Sequence, residues 1–480
     1  MTTLLAFLPE LALLAGALGL FIAALGDAKV RVARAITLAT ATVVLLAALL
    51  TFGQQTVLFD GAYRVDPFSQ FLKIVIAFGF LCIGLLGGEL RDIRGEAKPE
   101  YLLFLTLSVT GLVVLVSSID LITLVVALEL SSFSLYLLVP MRREREHQRV
   151  QMESAIKYLM FGVAATGIML FGMSHLYGLT GSTSLPVIMM KLPALLGSPL
   201  GIVGLALTLA GLLYKLAVFP FHFWTPDVYQ GAANETAGLI ASLPKVGAVA
   251  VIVRLLSLVP SDHAAFAMLI TVLAVASMVY GNLIALVQTD FKRLLGFSGI
   301  AHAGYALVGF VALDHAGYSA ALYYITGYML MVLACFVVIC QVSRAGANVA
   351  IADLAGLHRR SPLLAVTLLV GIFALAGIPP FVGFMAKLSL LTAALAAGHL
   401  ALVIIAVVNS AVAIYYYLRV VRAAFFAETP GDPSPIRLAP STVLLCVLLI
   451  IGITALGVAP GSVVDTIGRS LASIRFPVPG

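Results

Sequence analysis

Four ionisable residues stand where the surrounding sequence suits hydrocarbon. They are Glu129 in LVVALELSSFSLYLLV, Lys215 in GLLYKLAVFPFHFWTPDVY, Lys245 in LIASLPKVGAVAV and Lys387 in GIPPFVGFMAKLSLLTAAL. A charged group at the centre of a bilayer costs about 2.5–3.5 kcal/mol even on lenient insertion scales, and such groups mark ion or proton routes. The bland reading is that the side chain climbs to the interface. Depth separates the two. Glu129 lies about ten residues from either end of its run, roughly 15 Å from water, farther than a glutamate can reach. Lys245 and Lys387 are similarly deep. Lys215 is nearer one end, but Phe221, His222, Phe223 and Trp224 keep the chain at the membrane beyond it.

His302, in LLGFSGIAHAGYALVGF, and His222 read either as proton-relay groups or as hydrogen-bonded packing residues. Lys157 either pairs with Glu153 at i,i+4 or joins the same chemistry. Lys73, closer to a helix end, is expected to snorkel. The prolines give the lysines a context. Proline removes the bond to the carbonyl four residues earlier. Pro220 then frees Leu216, Pro244 frees Ile240, and Pro379 and Pro380 free Leu375 and Ala376. Bare carbonyls at membrane depth are tolerated where they line a wet or protein-filled cavity. Pro220, Pro244, Pro379 and Pro380 are therefore expected helix breaks along a hydrated path, as in the broken helices of secondary transporters. A carboxylate about 8 Å from a lysine is worth roughly 2 kcal/mol at an effective dielectric near 20. That is enough to govern whether the ammonium holds its proton, so a relay through Glu129, Lys215, Lys245 and Lys387 is the expected chemistry.

The elements that must position these groups are membrane spans. The chain has 480 residues, 61% hydrophobic and 10% charged, with a mean hydropathy of +1.10. A soluble domain carries about 25% charged residues. The expectation is an all-α polytopic membrane protein with about 14 transmembrane helices, near 4–25, 35–52, 67–88, 101–117, 119–140, 153–177, 198–219, 236–259, 264–288, 293–312, 317–341, 361–396, 399–427 and 439–459. The seventh and twelfth are read as discontinuous. The N-terminal run reads as a retained span because it lacks a basic n-region. Connections near 178–197 and 342–360 are too short for a soluble domain.

Of the 28 lysines and arginines, 18 fall in loops on one side, among them Arg145 and Arg149. Five fall on the other, including Arg475, and five lysines lie within spans. The positive-inside rule then puts both termini outside the cytoplasm. The net charge of +6 sits in these short loops and does not point to nucleic acid. Cys82, Cys335, Cys340 and Cys446 are scattered through apolar runs, so neither a metal site nor an iron–sulfur cluster is expected in this chain.

FPFHFWTPDVYQGA (219–232), ESAIKYLMFG (153–162), GNLIALVQTDFKRLLGFSGIAHAGY (281–305), ALAGIPPFVGFMAKL (374–388) and ALELSSFSLYLL (127–138) together resemble the subunit N family of proton-pumping NADH–quinone oxidoreductase, respiratory complex I. The resemblance covers about residues 100–425. Trp-Thr-Pro-Asp-Val-Tyr sets subunit N apart from its paralogues L and M and from cation/proton antiporters, which read closer to Trp-Leu-Pro-Asp-Ala.

The resemblance implies a single membrane domain, 1–480. Residues 1–100 hold helices 1–3, and 101–260 the first five-helix repeat, helices 4–8. The inverted second repeat, helices 9–13, is 261–427, and 428–480 holds helix 14 and the tail, without the long lateral helix of subunit L. It implies that the family's helix 5 glutamate falls on Glu129 and its helix 7, 8 and 12 lysines on Lys215, Lys245 and Lys387. It further implies partners among the other membrane subunits, with NADH, FMN, iron–sulfur clusters and quinone bound by partner subunits. Where the family continues with a proline-containing stretch, this chain has ANETAGLIASLPK, which adds Glu235 near the expected cytoplasmic entrance. The competing readings are a subunit of a multisubunit cation/proton antiporter and a membrane scaffold that moves no ions.

Overall fold

The computed structural model describes residues 5–26, 29–88, 90–143, 150–428 and 434–474. Arg145, Arg149 and Arg475, counted above for orientation, lie outside these. Helices dominate: α1 (Leu8–Leu25), α2 (Val30–Leu50), α3 (Pro67–Leu86), α4 (Lys98–Ser117), α5 (Leu121–Leu138), α6 (Val150–Thr180), α7 (Leu185–Leu195), α8 (Pro199–Leu216), α9 (Thr225–Gly231) and α10 (Asn234–Leu256). There follow α11 (Ala264–Ala285), α12 (Phe291–Val308), α13 (His315–Val342), α14 (Leu357–Arg360), α15 (Pro362–Ala376), α16 (Val382–Ala396), α17 (Leu400–Phe426), α18 (Pro440–Val458) and α19 (Gly461–Ala472). Twelve of the described helices are long and apolar enough to cross a membrane.

The apolar runs set the helices and acidic or hydroxyl residues start them. Asp66 and Ser69 form a capping box at α3. Asp120 accepts from the amides of Ile122 and Thr123 at α5. Asp290 and Asp314 cap α12 and α13 in the same way. Such caps satisfy amides that the first turn leaves without partners.

Two features lie outside the expected spans. Thr56–Leu58 and Tyr63–Val65 form an antiparallel hairpin, β1–β2. The connection near 178–197 contains α7, an apolar helix too short to span.

The core is built around α10 and α13. Every residue of α10 is buried, and α13 packs along it. Around this pair, α4 packs on α5, α6 on α8, and α11 on α12. The outward faces of α1, α2, α5, α6 and α17 carry exposed Leu, Ile, Val and Phe side chains. Apolar residues facing outward and charged residues facing inward are what a lipid solvent demands.

The structure corrects two expectations at this level. Pro244 does not break its helix: α10 runs through it for 23 residues. One missing hydrogen bond and a ring clash are tolerated there because surrounding helices hold the segment on all sides. Lys73 does not snorkel. Its Nζ lies 2.6 Å from Glu10 Oε1, with both side chains buried. The reason is position within the bundle: Glu10 of α1 reaches Lys73 of α3 and supplies the counter-charge.

Candidate functional site: a buried polar axis

The first interruption follows α8. Ala217 adopts a left-handed conformation (φ 67°) and caps the helix, while Val218 N donates to Leu213 O at 2.9 Å. The helix therefore ends three residues ahead of Pro220. Phe219 N donates to Ser277 Oγ on α11 (3.0 Å), and the Trp224 indole N–H donates to the Tyr214 carbonyl (3.1 Å). A neighbouring element thus supplies the bonds that the helix gives up. The Phe219–Pro220 peptide is cis.

Lys215 sits in the last turn before this break, 5% exposed, and its Nζ has no hydrogen-bond partner among the described residues. Glu129, on α5, is the carboxylate within electrostatic reach of it. Glu129 Oε1 accepts from Thr166 Oγ1 on α6 at 2.6 Å. The carboxylate is only half-buried, flanked along α5 by exposed Val126 and Phe133. Tyr158 and Tyr214 pack between α6 and α8, with Tyr158 stacked on Trp224 at 4.7 Å.

Lys245 occupies the middle of α10. Its Nζ donates to the Gly299 carbonyl on α12 (3.1 Å) and lies 5.1 Å from the centre of the Tyr328 ring. The fit at Gly299 is close, since a Cβ would stand 3.0 Å from both Lys245 Nζ and Tyr328 Oη. His302, one turn along α12, is bonded on both ring nitrogens, to Tyr324 Oη (2.6 Å) and Tyr417 Oη (2.9 Å). Tyr417 Oη in turn meets Ser298 Oγ at 2.5 Å. His302 lies within electrostatic reach of both Lys245 and Lys387.

The second interruption separates α15 from α16. Gly377 is left-handed (φ 84°), Ile378 N donates to Phe373 O, and the Pro379–Pro380 peptide is cis. Lys387 lies beyond the break and folds back on it. Its Nζ donates to the carbonyls of Leu375 (3.1 Å) and Ala376 (3.2 Å), the two that Pro379 and Pro380 are expected to release. It also sits 4.7 Å from the centre of the Tyr305 ring. Gly383 lets the two half-helices close, because a Cβ there would collide with the Ala374 carbonyl.

The lesser candidates fall apart from this axis. His222 is buried among Phe219, Phe223 and Tyr280, and both its ring nitrogens lack partners among the described residues. Lys157 bonds Glu153 Oε1 (2.6 Å) and Asp227 Oδ2 (2.7 Å), while Arg293 takes Asp227 Oδ1 (2.7 Å). That cluster ties α9 to α6 and α12 at the edge of the bundle.

Sequence reasoning missed several buried groups. Glu10 meets Lys73 and accepts from Tyr63 Oη (2.5 Å), and Arg254 reaches both oxygens of Asp66. At the opposite end, Arg142 pairs with Asp92 (2.6 Å) and bonds the carbonyls of Gln230, Gly231 and Gly346. Glu10 carried a signal, a carboxylate within an apolar run. Arg142 carried none, because a loop arginine gives no hint of three segments meeting on it. The tyrosines of the axis likewise read as ordinary apolar filling. Among the described residues no group of His, Cys, Asp and Glu could hold a metal, and the four cysteines are free.

Comparison with known proteins places this architecture. Residues 118–413 match the family described as NADH:quinone oxidoreductase/Mrp antiporter, TM. The chain is 72% identical to NADH-quinone oxidoreductase subunit N 2 of Opitutus terrae over 474 residues, 99% of each chain. It is 43% identical to the protein of the same name from Solidesulfovibrio magneticus, over 98% of each chain. It superposes on a chain of respiratory complex I from Thermus thermophilus with bound aureothin, with a TM-score of 0.81 at 31% identity, covering 95% of this chain and 98% of that one. A chain of the Mrp complex from Dietzia sp. superposes with a TM-score of 0.88 at 23% identity, covering 99% of this chain and 98% of that one, a likeness of fold alone. With a helical bundle of this kind and full-length identity to curated relatives, the chain belongs to the subunit N family of NADH-quinone oxidoreductase, an antiporter-like membrane component of that enzyme complex.

Proposed function

We propose that this chain carries protons across the bacterial inner membrane through Glu129, Lys215, Lys245, His302 and Lys387, driven by quinone reduction in partner subunits. The observation that carries this reading is the state of the three lysines. Each is buried, and among the described residues none has a carboxylate within ion-pair distance: Lys215 has no partner, while Lys245 and Lys387 rest on backbone carbonyls and tyrosine rings. A lysine kept only for stability would be paired, since an unpaired buried charge costs several kcal/mol. Here the partners are neutral acceptors, which tolerate both the ammonium and the amine. Charging or discharging Glu129 changes the field at Lys215, and the change passes along the axis by like-charge repulsion.

The repeats fit this reading. Each interruption falls in the fourth crossing of a five-helix unit: α4, α5, α6, α8/α9 and α10, then α11, α12, α13, α15/α16 and α17. The proposed units are 101–260 and 261–427, each half-channel meeting the axis at its broken helix. Counting α12 and the α15/α16 pair as crossings beside the twelve gives the proposed fourteen. Both termini are placed on the periplasmic side, and 428–480 forms the last helix and tail. NADH, FMN, the iron–sulfur clusters and quinone belong, in this reading, to the partner subunits. His222, two residues past Pro220, is the secondary candidate nearest the first break, whereas Lys157 is held by Glu153 and Asp227. The antiporter alternative shares the family model and the fold, whereas the subunit N relatives match over the whole chain at up to 72% identity.

The test is Glu129→Gln in the assembled complex, reconstituted into vesicles. Proton uptake and coupled NADH–quinone turnover should fall roughly tenfold or more, as removal of a positioned proton-transfer group predicts. Full pumping at matched assembly would sink the relay and leave the chain a scaffold.

A further inference from the structure

Glu235 opens α10 and is 8% exposed, yet its Oε2 has no hydrogen-bond partner among the described residues. It forms the floor of a narrow crevice between α2, α3 and α4, lined by Arg34, Gly87, Gly88 and Tyr101. Arg34, Gly87 and Gly88 are half-buried at the mouth, on the side of the bundle that carries most of the loop arginines. The crevice has room for about one water molecule.

We propose that Glu235 takes up protons through this crevice and supplies Lys245, a role that rests on the translocation function proposed above. The charged and titratable groups facing it are occupied elsewhere. Asp92 and Arg142 pair with each other, Lys292 donates to the Ala232 carbonyl (2.8 Å), and Tyr101 bonds Thr236 Oγ1 (3.1 Å). Arg34 reaches Ser441, and Cys340 on α13 completes the surroundings. Glu235 therefore feels charge from several sides without being locked into an ion pair, as a carboxylate that loads and unloads a proton must be.

A route inward exists in the same terms. Glu235 and Lys245 are ten residues apart on one helix, roughly 15 Å, too far for direct transfer. Among the described residues two further buried polar atoms lack partners, Asn234 Oδ1 beside Glu235 and the hydroxyl of Tyr229 on α9. The Tyr229 hydroxyl approaches Gly299, whose carbonyl receives Lys245 Nζ. Unsatisfied buried polar groups are uncommon in native proteins, and bridging water is one way to satisfy them. The transfer is a proton hop from the Glu235 carboxyl through water and the Tyr229 hydroxyl to the Lys245 amine, with no electron moved.

The experiment compares Glu235→Gln, Glu235→Asp, Tyr229→Phe and Lys245→Ala in the complete complex, at matched assembly, reading proton uptake into vesicles and coupled turnover. Glu235→Gln keeps shape and loses titration, so pumping should fall roughly tenfold. Glu235→Asp should retain most of it, and Tyr229→Phe should show an intermediate loss. A merely structural glutamate would give the reverse, with glutamine harmless and the shorter aspartate damaging. Wild-type pumping by Glu235→Gln beside a dead Lys245→Ala overturns this inference and leaves the translocation reading standing. Normal pumping by Lys245→Ala overturns both.

Discussion

The two broken helices use one backbone device and position their lysines in opposite ways. Each ends its first half with a left-handed residue, Ala217 or Gly377, and each turns at a proline. At the first break Lys215 precedes the turn and its Nζ bonds nothing among the described residues, while the Trp224 indole donates to a carbonyl of the helix end. At the second, Lys387 follows the turn and bonds the Leu375 and Ala376 carbonyls itself. A break therefore does not prescribe how its lysine behaves. Lys215 is left answerable to Glu129, and Lys387 is held in place by carbonyls that accept either form of it.

The largest expected effect lies at Lys215. Arginine stays charged at every relevant pH. If Lys215 must release its proton, both Lys215→Arg and Lys215→Ala should lose roughly tenfold or more of pumping. Strong pumping by Lys215→Arg in vesicles would make the residue a fixed counter-charge to Glu129 and dissolve the contrast between the breaks.

Stability should divide them next. Lys387→Met strips the donor from two buried carbonyls, and an unsatisfied buried acceptor costs about 1–3 kcal/mol. Lys215→Met removes no hydrogen bond seen among the described residues. Thermal unfolding of the assembled complex should fall for the first and hold or rise for the second. Equal losses would show that Lys215 has a partner of comparable strength.

The smallest effect concerns the turn residues. Gly377→Ala forces a side chain into the left-handed region at about 1–2 kcal/mol, beside Lys387 Cδ at 3.1 Å. Ala217→Gly relieves that strain but loses a buried methyl, so the net change should stay below about 1 kcal/mol. Protease resistance in detergent reads both. A tolerant Gly377 would mean that the second break can shift its backbone more freely than its packing suggests.

Much of this was legible in the chain. Depth within apolar runs is one-dimensional information, and it singled out Glu129, Lys215, Lys245 and Lys387. The rule that proline releases the carbonyl four residues back named Leu375 and Ala376 as the bare acceptors on which Lys387 rests. The same rule overreached at Pro244, where α10 runs on without interruption among the helices packed around it. It also mistimed the first break, because Ala217 ends α8 before Pro220 can.

What the sequence determined was the solvent of each segment, since charge is costly at the centre of a long apolar run. Spans, loops and the residues too polar for their surroundings follow from that cost. What only the tertiary structure decided was partnership. Lys73 and Glu10 stand far apart in sequence and meet inside the bundle, and Arg142 joins three segments that no local pattern connects. Among the described residues Glu235 has no ion pair, although Asp92, Lys292 and Arg142 lie within electrostatic reach. Whether a buried charge is neutralised, held or left free depends on which helices pack beside it, and that is fixed by long-range complementarity of side chains, which a linear pattern does not carry.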